Sequence, residues 1–352
     1  MLETLNLVRK SLSELIAQKA KSPLLLLSLS FIFLVSCEDE VVVKPSYTGT
    51  SGEIVVIVEK ALWTNQLEDS VKTLLQPNFP MLPQAEAMFN VLHYDPQDVN
   101  QLIERHRNTI KIEVGTPRKP GLNFIKDDQA KGQLTVLIRA DDHLGVLDLL
   151  SSRVNDVIEL IREEERKRYQ NWLSLHREKE LEKKILDEFG YAIILPKGTR
   201  LVELKPDFVR LDWEREKIKG GTQHFINHGI LLYKHPYDSD SIFNPVAMRD
   251  IRNQNLKRIP GPRKGTHMTT QNFFEPELTA VSPNPGFKYA ADFRALWRTT
   301  ESFLGGPFVS FVQVDKSGSE LIISEVFVLA PKFNKREFIK EAEAIAYSVY
   351  SQ

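Results

Sequence analysis

The chain has 352 residues, of which 42% are hydrophobic and 26% charged, the composition of a globular protein with one large domain or two smaller ones. A formal charge of −1 leaves no basic footprint of the kind nucleic-acid binders carry, so nucleic acid is not expected among its partners. The single cysteine, Cys37, excludes a disulfide framework within one copy and a zinc site built on several thiolates.

The first element is apolar. Leu24 to Val35 holds only two serines among hydrophobic residues, and at about 12 residues it is too short for a membrane-spanning helix, which needs roughly 20. Arg9, Lys10, Lys19 and Lys21 precede it, so it reads as the hydrophobic region of a secretory signal. Leu34-Val35-Ser36-Cys37 resembles the lipobox of bacterial lipoprotein precursors, in which a small residue stands before the cysteine. The resemblance implies cleavage before Cys37, a diacylglyceryl group on its sulfur, an acyl chain of the palmitate kind on its new amino group, and hence a membrane as partner. The alternative is a short buried helix with a chance cysteine. Glu38-Asp39-Glu40 resembles the acidic run behind the lipidated cysteine of Bacteroidota lipoproteins, which directs export to the cell surface; read plainly, it is the solvated start of a linker. Val41 to Gly52, with Pro45, Gly49, Ser51 and Gly52, reads as a tether.

In the body, the β-branched run Glu53 to Glu59 predicts a buried central strand. A helix is predicted over 61–76, a strand over Met88 to Tyr94, and a helix from Pro96 to about Asn108 with Asp95 as cap. Thr109 to Val114 and Gln133 to Ala140 predict strands, with a turn at Lys119-Pro120-Gly121 between them. Residues 142–190 are helical in pattern. Val154, Val157, Ile158 and Ile161 share a face, and Gly190 is placed to stop the run. Within it Arg162 to Arg168 is charged all round, which predicts a solvated helical bridge and no part of a core. Strands are predicted over Tyr191 to Leu195, Phe208 to Trp213, Gln223 to Tyr233, Phe287 to Thr299, Phe308 to Val314 and Leu321 to Leu329. Helices are predicted from Asn244-Pro245 to Leu256 and after Asn334, the latter residue serving as cap. A strand followed by a helix closes each half, which suggests a distant duplication.

Four patches resemble one family of Bacteroidota lipoproteins, domain of unknown function 4837. They are Asp207 to Leu211, Phe293 to Arg298, Phe303 to Phe311 and Val326 to Arg336. The resemblance is expected to cover most of the chain after Cys37. It implies lineage, export and lipidation, and carries no assigned activity.

Several constellations bring together side chains capable of chemistry. His224 and His228 have helical metal-ligand spacing, but on a strand they stand about 13 Å apart, and no metal site is expected. Asp141-Asp142-His143 lies where a strand meets a helix, a place where active sites occur; an Asp there is more simply a helix cap. Gly305-Gly306-Pro307 lacks the Lys-Ser/Thr of a phosphate loop and suits a bulge or turn. Arg294, Trp297 and Arg298 are the candidate binding surface, with the two arginines on one face of a strand and the tryptophan on the other. No Gly-x-Ser-x-Gly elbow occurs, no catalytic residue is assigned, and no cofactor is expected.

The expected fold is α+β, with two halves, each a mixed or antiparallel sheet covered by helices. The expected organisation is a signal over 1–36, lipidated Cys37 and tether over 37–52, a first half over 53–141, a helical connector over 142–190 and a second half over 191–352. The expected role is a non-enzymatic outer-membrane lipoprotein, on the periplasmic face or the cell surface, that binds an envelope protein or polymer. The alternative is an envelope hydrolase acting on glycan or peptide.

Overall fold

The computed structural model describes residues 44–116 and 118–351. Leu34, Val35, Ser36, Cys37, Glu38, Asp39 and Glu40 lie outside the described residues. The fold is α+β, with two large sheets.

The first sheet is mostly parallel. Its strands are β1 (Glu53–Ile57), β2 (Asn90–Tyr94), β3 (Asn108–Val114), β4 (Gly121–Lys126) and β5 (Leu134–Ala140). They lie in the order β2-β1-β3-β5-β4, with only β4 antiparallel to its neighbour. The continuous apolar run of β1 is explained by this place, since a strand flanked by two others and covered on both faces has no polar side to present. Helix α1 (Asn65–Leu75) joins β1 to β2. The helix expected after Asp95 is broken. Asp95 caps a single turn at Pro96–Asp98, and α2 (Gln101–Glu104) then restarts. The break falls at Asn100, whose side chain accepts from Leu102 N and Ile103 N at 2.9 and 3.1 Å and so begins a new helix in place of continuing the old one.

The helical midsection is two helices, α3 (His143–Leu175) and α4 (Lys179–Phe189). Asp142 caps α3 by accepting from Gly145 N at 2.8 Å. Gly190 ends α4 at φ +87°, in the left-handed region that glycine enters without penalty. The strand expected over Tyr191 to Leu195 shrinks to β6 (Tyr191–Ala192).

The second sheet is antiparallel and has eight strands. They are β7 (Arg200–Lys205), β8 (Phe208–Lys219), β9 (Thr222–Pro236), β10 (Met268–Thr270), β11 (Glu277–Val281), β12 (Tyr289–Thr299), β13 (Gly305–Val314) and β14 (Glu320–Leu329). The order is β10-β12-β13-β14-β9-β8-β7, with β11 also on β12. Helix α5 (Pro245–Leu256) precedes β10, α6 (Arg336–Ala346) follows β14, and β15 (Tyr350–Ser351) pairs with β6.

Helices α3 and α6 pack on each other between the sheets, α3 against β3 and β5 and α6 against β13 and β14. One hydrophobic core therefore runs from Ile54 and Ile110 through Val157 and Ile345 to Val309 and Val326. A second, aromatic core lies on the far face of the antiparallel sheet beneath α5, built on Phe208, Phe293, Trp297, Phe308 and Phe327. The two strand-then-helix units do meet in the helical layer. However, β5 has one parallel neighbour and β14 has two antiparallel ones, so the likeness is local to the element pair.

The cap of α6 differs from expectation. Asn334 does not cap it; Glu86 does, accepting from Lys335 N and Arg336 N at 2.6 and 3.0 Å. A carboxylate brought in from a distant loop serves the exposed amides and the positive helix end together. No described helix is long and apolar enough to cross a membrane.

Candidate functional site

The run Arg162 to Arg168 overturns the expectation of a solvated bridge. Glu165 and Arg168 are 7% and 5% exposed, at the middle of the layered body. The apolar spacing of α3 continues through the run from Val157 and Ile161 onto Glu165 and Arg168, so the inward stripe simply becomes charged. Charges at such positions survive only with partners, and the partners come from both sheets and from α6.

Two clusters result. Glu165 accepts from Arg107, Arg168 and Asn108 at 2.8, 2.8 and 2.7 Å. Arg168 also donates to the carbonyls of Gly132 and Arg107 at 2.7 and 2.8 Å. Tyr47 lies beneath both guanidinium groups, at 5.1 and 5.3 Å from its ring centre. One helical turn earlier and one place later, Arg162 and Arg166 reach Glu343 of α6 at 3.3 and 2.7 Å. Arg294 reaches the same carboxylate at 2.7 Å and also holds Asp292 at 2.6 Å. Tyr347 donates to Asp292 at 2.5 Å, while Arg166 stacks 4.3 Å above its ring. Burial alone would raise the Glu343 carboxyl, but Arg294, Arg162 and Arg166 outweigh it and hold the group below the usual carboxylate range.

Two hollows flank this stretch of α3, and Arg162 and Arg166 line both. The wider one, about 1100 Å³, opens past Gln170, Asn284 and Arg294. The tighter one, about 320 Å³, is walled by Tyr47, Phe79, Phe89, Tyr169 and Trp172 on one side and by Lys340, Glu341 and Glu343 on the other. Five aromatic residues line it beside nine charged ones, so it suits a ligand with an apolar body and charged or polar groups. The Tyr169 hydroxyl is buried there without a hydrogen-bond partner, and burial followed by the nearby Glu341 raises its pKa. Burial also pushes the Glu341 carboxyl up, against the opposing pull of its partner Arg215. The Lys340 ammonium is pushed down by burial.

The expected binding surface is not one surface. Arg294 is 4% and Trp297 3% exposed, and only Arg298 faces solvent. As the alternation predicts, Arg294 points to the helical layer and Trp297 lies in the aromatic core, donating to Val328 O at 3.1 Å. Both faces of β12 are covered, so neither residue is free to meet a partner. His224 and His228 both lie on β9. His228 is fully buried and bonded to Phe338 O at 3.0 Å, and no cluster able to hold a metal occurs among the described residues. Asp142 is engaged as a cap. Gly305 and Gly306 begin β13; at Gly306 any Cβ would stand 2.1 Å from Val328 O, so close backbone approach explains the glycine. The residues missed from sequence are Tyr169, Arg162, Arg166 and Glu343. The signal that could have found them is the charged continuation of an apolar helix stripe.

The molecule is thus an α+β protein whose charged centre is assembled from both ends of the chain. Residues 178–348 match the family model described as Domain of unknown function (DUF4837). All four sequence patches quoted for that family fall inside the matched segment. Its coverage is narrower than expected, because residues 47–174 match a separate model, Domain of unknown function (DUF8532). The two matches meet at the junction of α3 and α4, and the tighter pocket takes its walls from both. No curated protein matches the chain.

Proposed function

We propose that this protein is a cell-envelope lipoprotein, tethered to the outer membrane through Cys37, whose body binds a small, partly apolar ligand without transforming it. The observation that carries the binding role is the pocket of about 320 Å³ with an aromatic wall and a buried, unpartnered Tyr169 hydroxyl. An acceptor atom on a ligand would satisfy that hydroxyl, and the aromatic wall would cover an apolar body. Such a ligand could be free or the end group of an envelope polymer. The tether rests on the Leu34-Val35-Ser36-Cys37 pattern, and the mass of the peptide beginning at Cys37 reports its acyl chains directly.

The binding role is tested with 1-anilinonaphthalene-8-sulfonate, an aromatic anion of suitable size. Trp172 stands at the rim, 46% exposed, and should transfer energy to the bound dye. Trp172→Phe should reduce that transfer, leaving what the other three tryptophans supply, and Tyr169→Phe should weaken the dye about fivefold, the worth of one hydrogen bond. Dye that binds equally well to both variants lies elsewhere and sinks the reading. A hydrolase acting on envelope glycan or peptide is the second reading, favoured by one feature. Glu341 and Glu343 line the same pocket with pKa values pushed in opposite directions, the pattern of an acid paired with an ionised carboxylate. Turnover of cell-wall fragments lost in Glu341→Gln would decide for it.

A further inference from the structure

We infer that one end of the antiparallel sheet is a lipid-docking face, on which the body rests against the bilayer that holds Cys37; this deepens the tether reading and depends on it. Strand β14 ends at Leu329, paired with Asn227 of β9. The β8–β9 hairpin continues past that point, through Arg215↔Ile226 to Lys219↔Thr222. On the hairpin's outer face Ile218 and Phe225 are 74% and 66% exposed. They are diagonal neighbours, since Ile218 pairs with Gln223 and Glu216 with Phe225. The turn from β12 into β13 lies at the same end of the sheet, because Arg298 pairs with Gly305 there. It carries Phe303, fully exposed, and Leu304. The neighbouring loop, fixed by Thr300 N on His267 O at 2.9 Å, presents Arg263 and Lys264 to solvent, and Arg298 and Lys332 are exposed beside them. Glu214, Glu216 and Glu301 are the exposed acids among them. Large apolar side chains at hairpin tips, ringed by cations, suit the boundary between acyl chains and anionic headgroups.

The occupant follows from where the chain arrives. The first turn of α6 lies just beyond β14, and Gly52, at the start of β1, sits against Glu337 and Lys340 of that turn. Residues 46 and 48 then cross the starts of β5 and β3 through the bridges Ser46↔Lys131 and Thr48↔His106. The described chain therefore begins at this same end. From Lys44 back to Cys37 is seven residues, which reach at most about 25 Å. An acylated Cys37 draws the bilayer to within that distance of this end, whereas the Lys316–Ser319 turn lies at the opposite end of β13 and β14.

The test uses the full chain with its anchor in place, carrying Phe225→Cys, Phe303→Cys or, as control, Lys316→Cys. Acylation occupies the sole native thiol, so bimane labels only the introduced one. Vesicles of phosphatidylethanolamine and phosphatidylglycerol with brominated acyl chains are the probe. The expected result is emission falling about twofold at positions 225 and 303 and holding at 316. Vesicle-bound chain with emission unchanged at all three positions overturns the docking face and leaves the anchor standing. Shielding that needs no vesicles and grows with protein concentration overturns it in favour of a second copy of the chain. A second bimane per chain means that Cys37 is free: the anchor reading then fails on its own, and the docking face falls with it unless 225 and 303 are still quenched.

Discussion

Glu343 gathers Arg162, Arg166 and Arg294 into the space between the sheets. Replacing it with Gln leaves Arg166 without its carboxylate and takes one of two carboxylates from Arg162 and from Arg294, so Glu343→Gln should cost about 3–5 kcal/mol in urea unfolding. A loss below ~1 kcal/mol would mean that water already serves those arginines. His228 makes a different prediction. Burial, reinforced by Arg215, lowers its pKa from 6.5 to about 3. The native state therefore refuses a proton that the unfolded chain accepts. Its contribution to stability is complete above the unfolded pKa and declines as pH falls from there toward the folded value. Between about pH 6.5 and 5.5 the unfolding free energy should drop with a slope approaching 1.4 kcal/mol per unit as pH falls. His228→Gln should flatten that slope; an unaltered slope would assign it to other groups.

At the scale of elements, α6 depends on an acceptor it does not own. Glu86→Ala should destabilise the body by about 0.5–2 kcal/mol, the usual worth of a cap, while Asn334→Ala should be nearly neutral; the reverse order would restore the local cap expected from sequence. The contrast shows what a sequence can and cannot reveal. Gly190 and Asn244 were legible because a stop glycine and an Asn-Pro start act within a few residues. Strands β8, β9, β12, β13 and β14 were legible from their apolar β-branched or aromatic runs, whereas the short edge strands β7, β10 and β11 carry no such run and were not. The α6 cap was not, since its acceptor is 249 residues away from the amide it serves. Arg162 to Arg168 failed for a related reason. Charge predicts solvent only when no opposite charge is waiting, and Glu343 lies 177 residues from Arg166. Arg294 and Trp297 failed because alternation assigns faces without saying that α6 covers one and α5 the other.

For the whole molecule, the pocket, the Glu343 cluster and the main core are each shared between the segments 47–174 and 178–348. Heat or urea should therefore melt both sheets in one transition, with far-ultraviolet dichroism and tryptophan fluorescence superimposing. Two separated transitions would show that the layers are independent. Dividing the chain between α3 and α4 should yield fragments that are insoluble apart and recover only when mixed. The late position of α6 has a consequence in time. A nascent chain makes its parallel sheet and α3 early, but Arg162 and Arg166 wait for Glu343, the last partner to emerge. Until then Arg166 lacks Glu343 and Arg162 has only Glu159 of its own helix, so water must keep both and the early half cannot close into a finished body. A polypeptide built this way stays threadable until α6 has emerged.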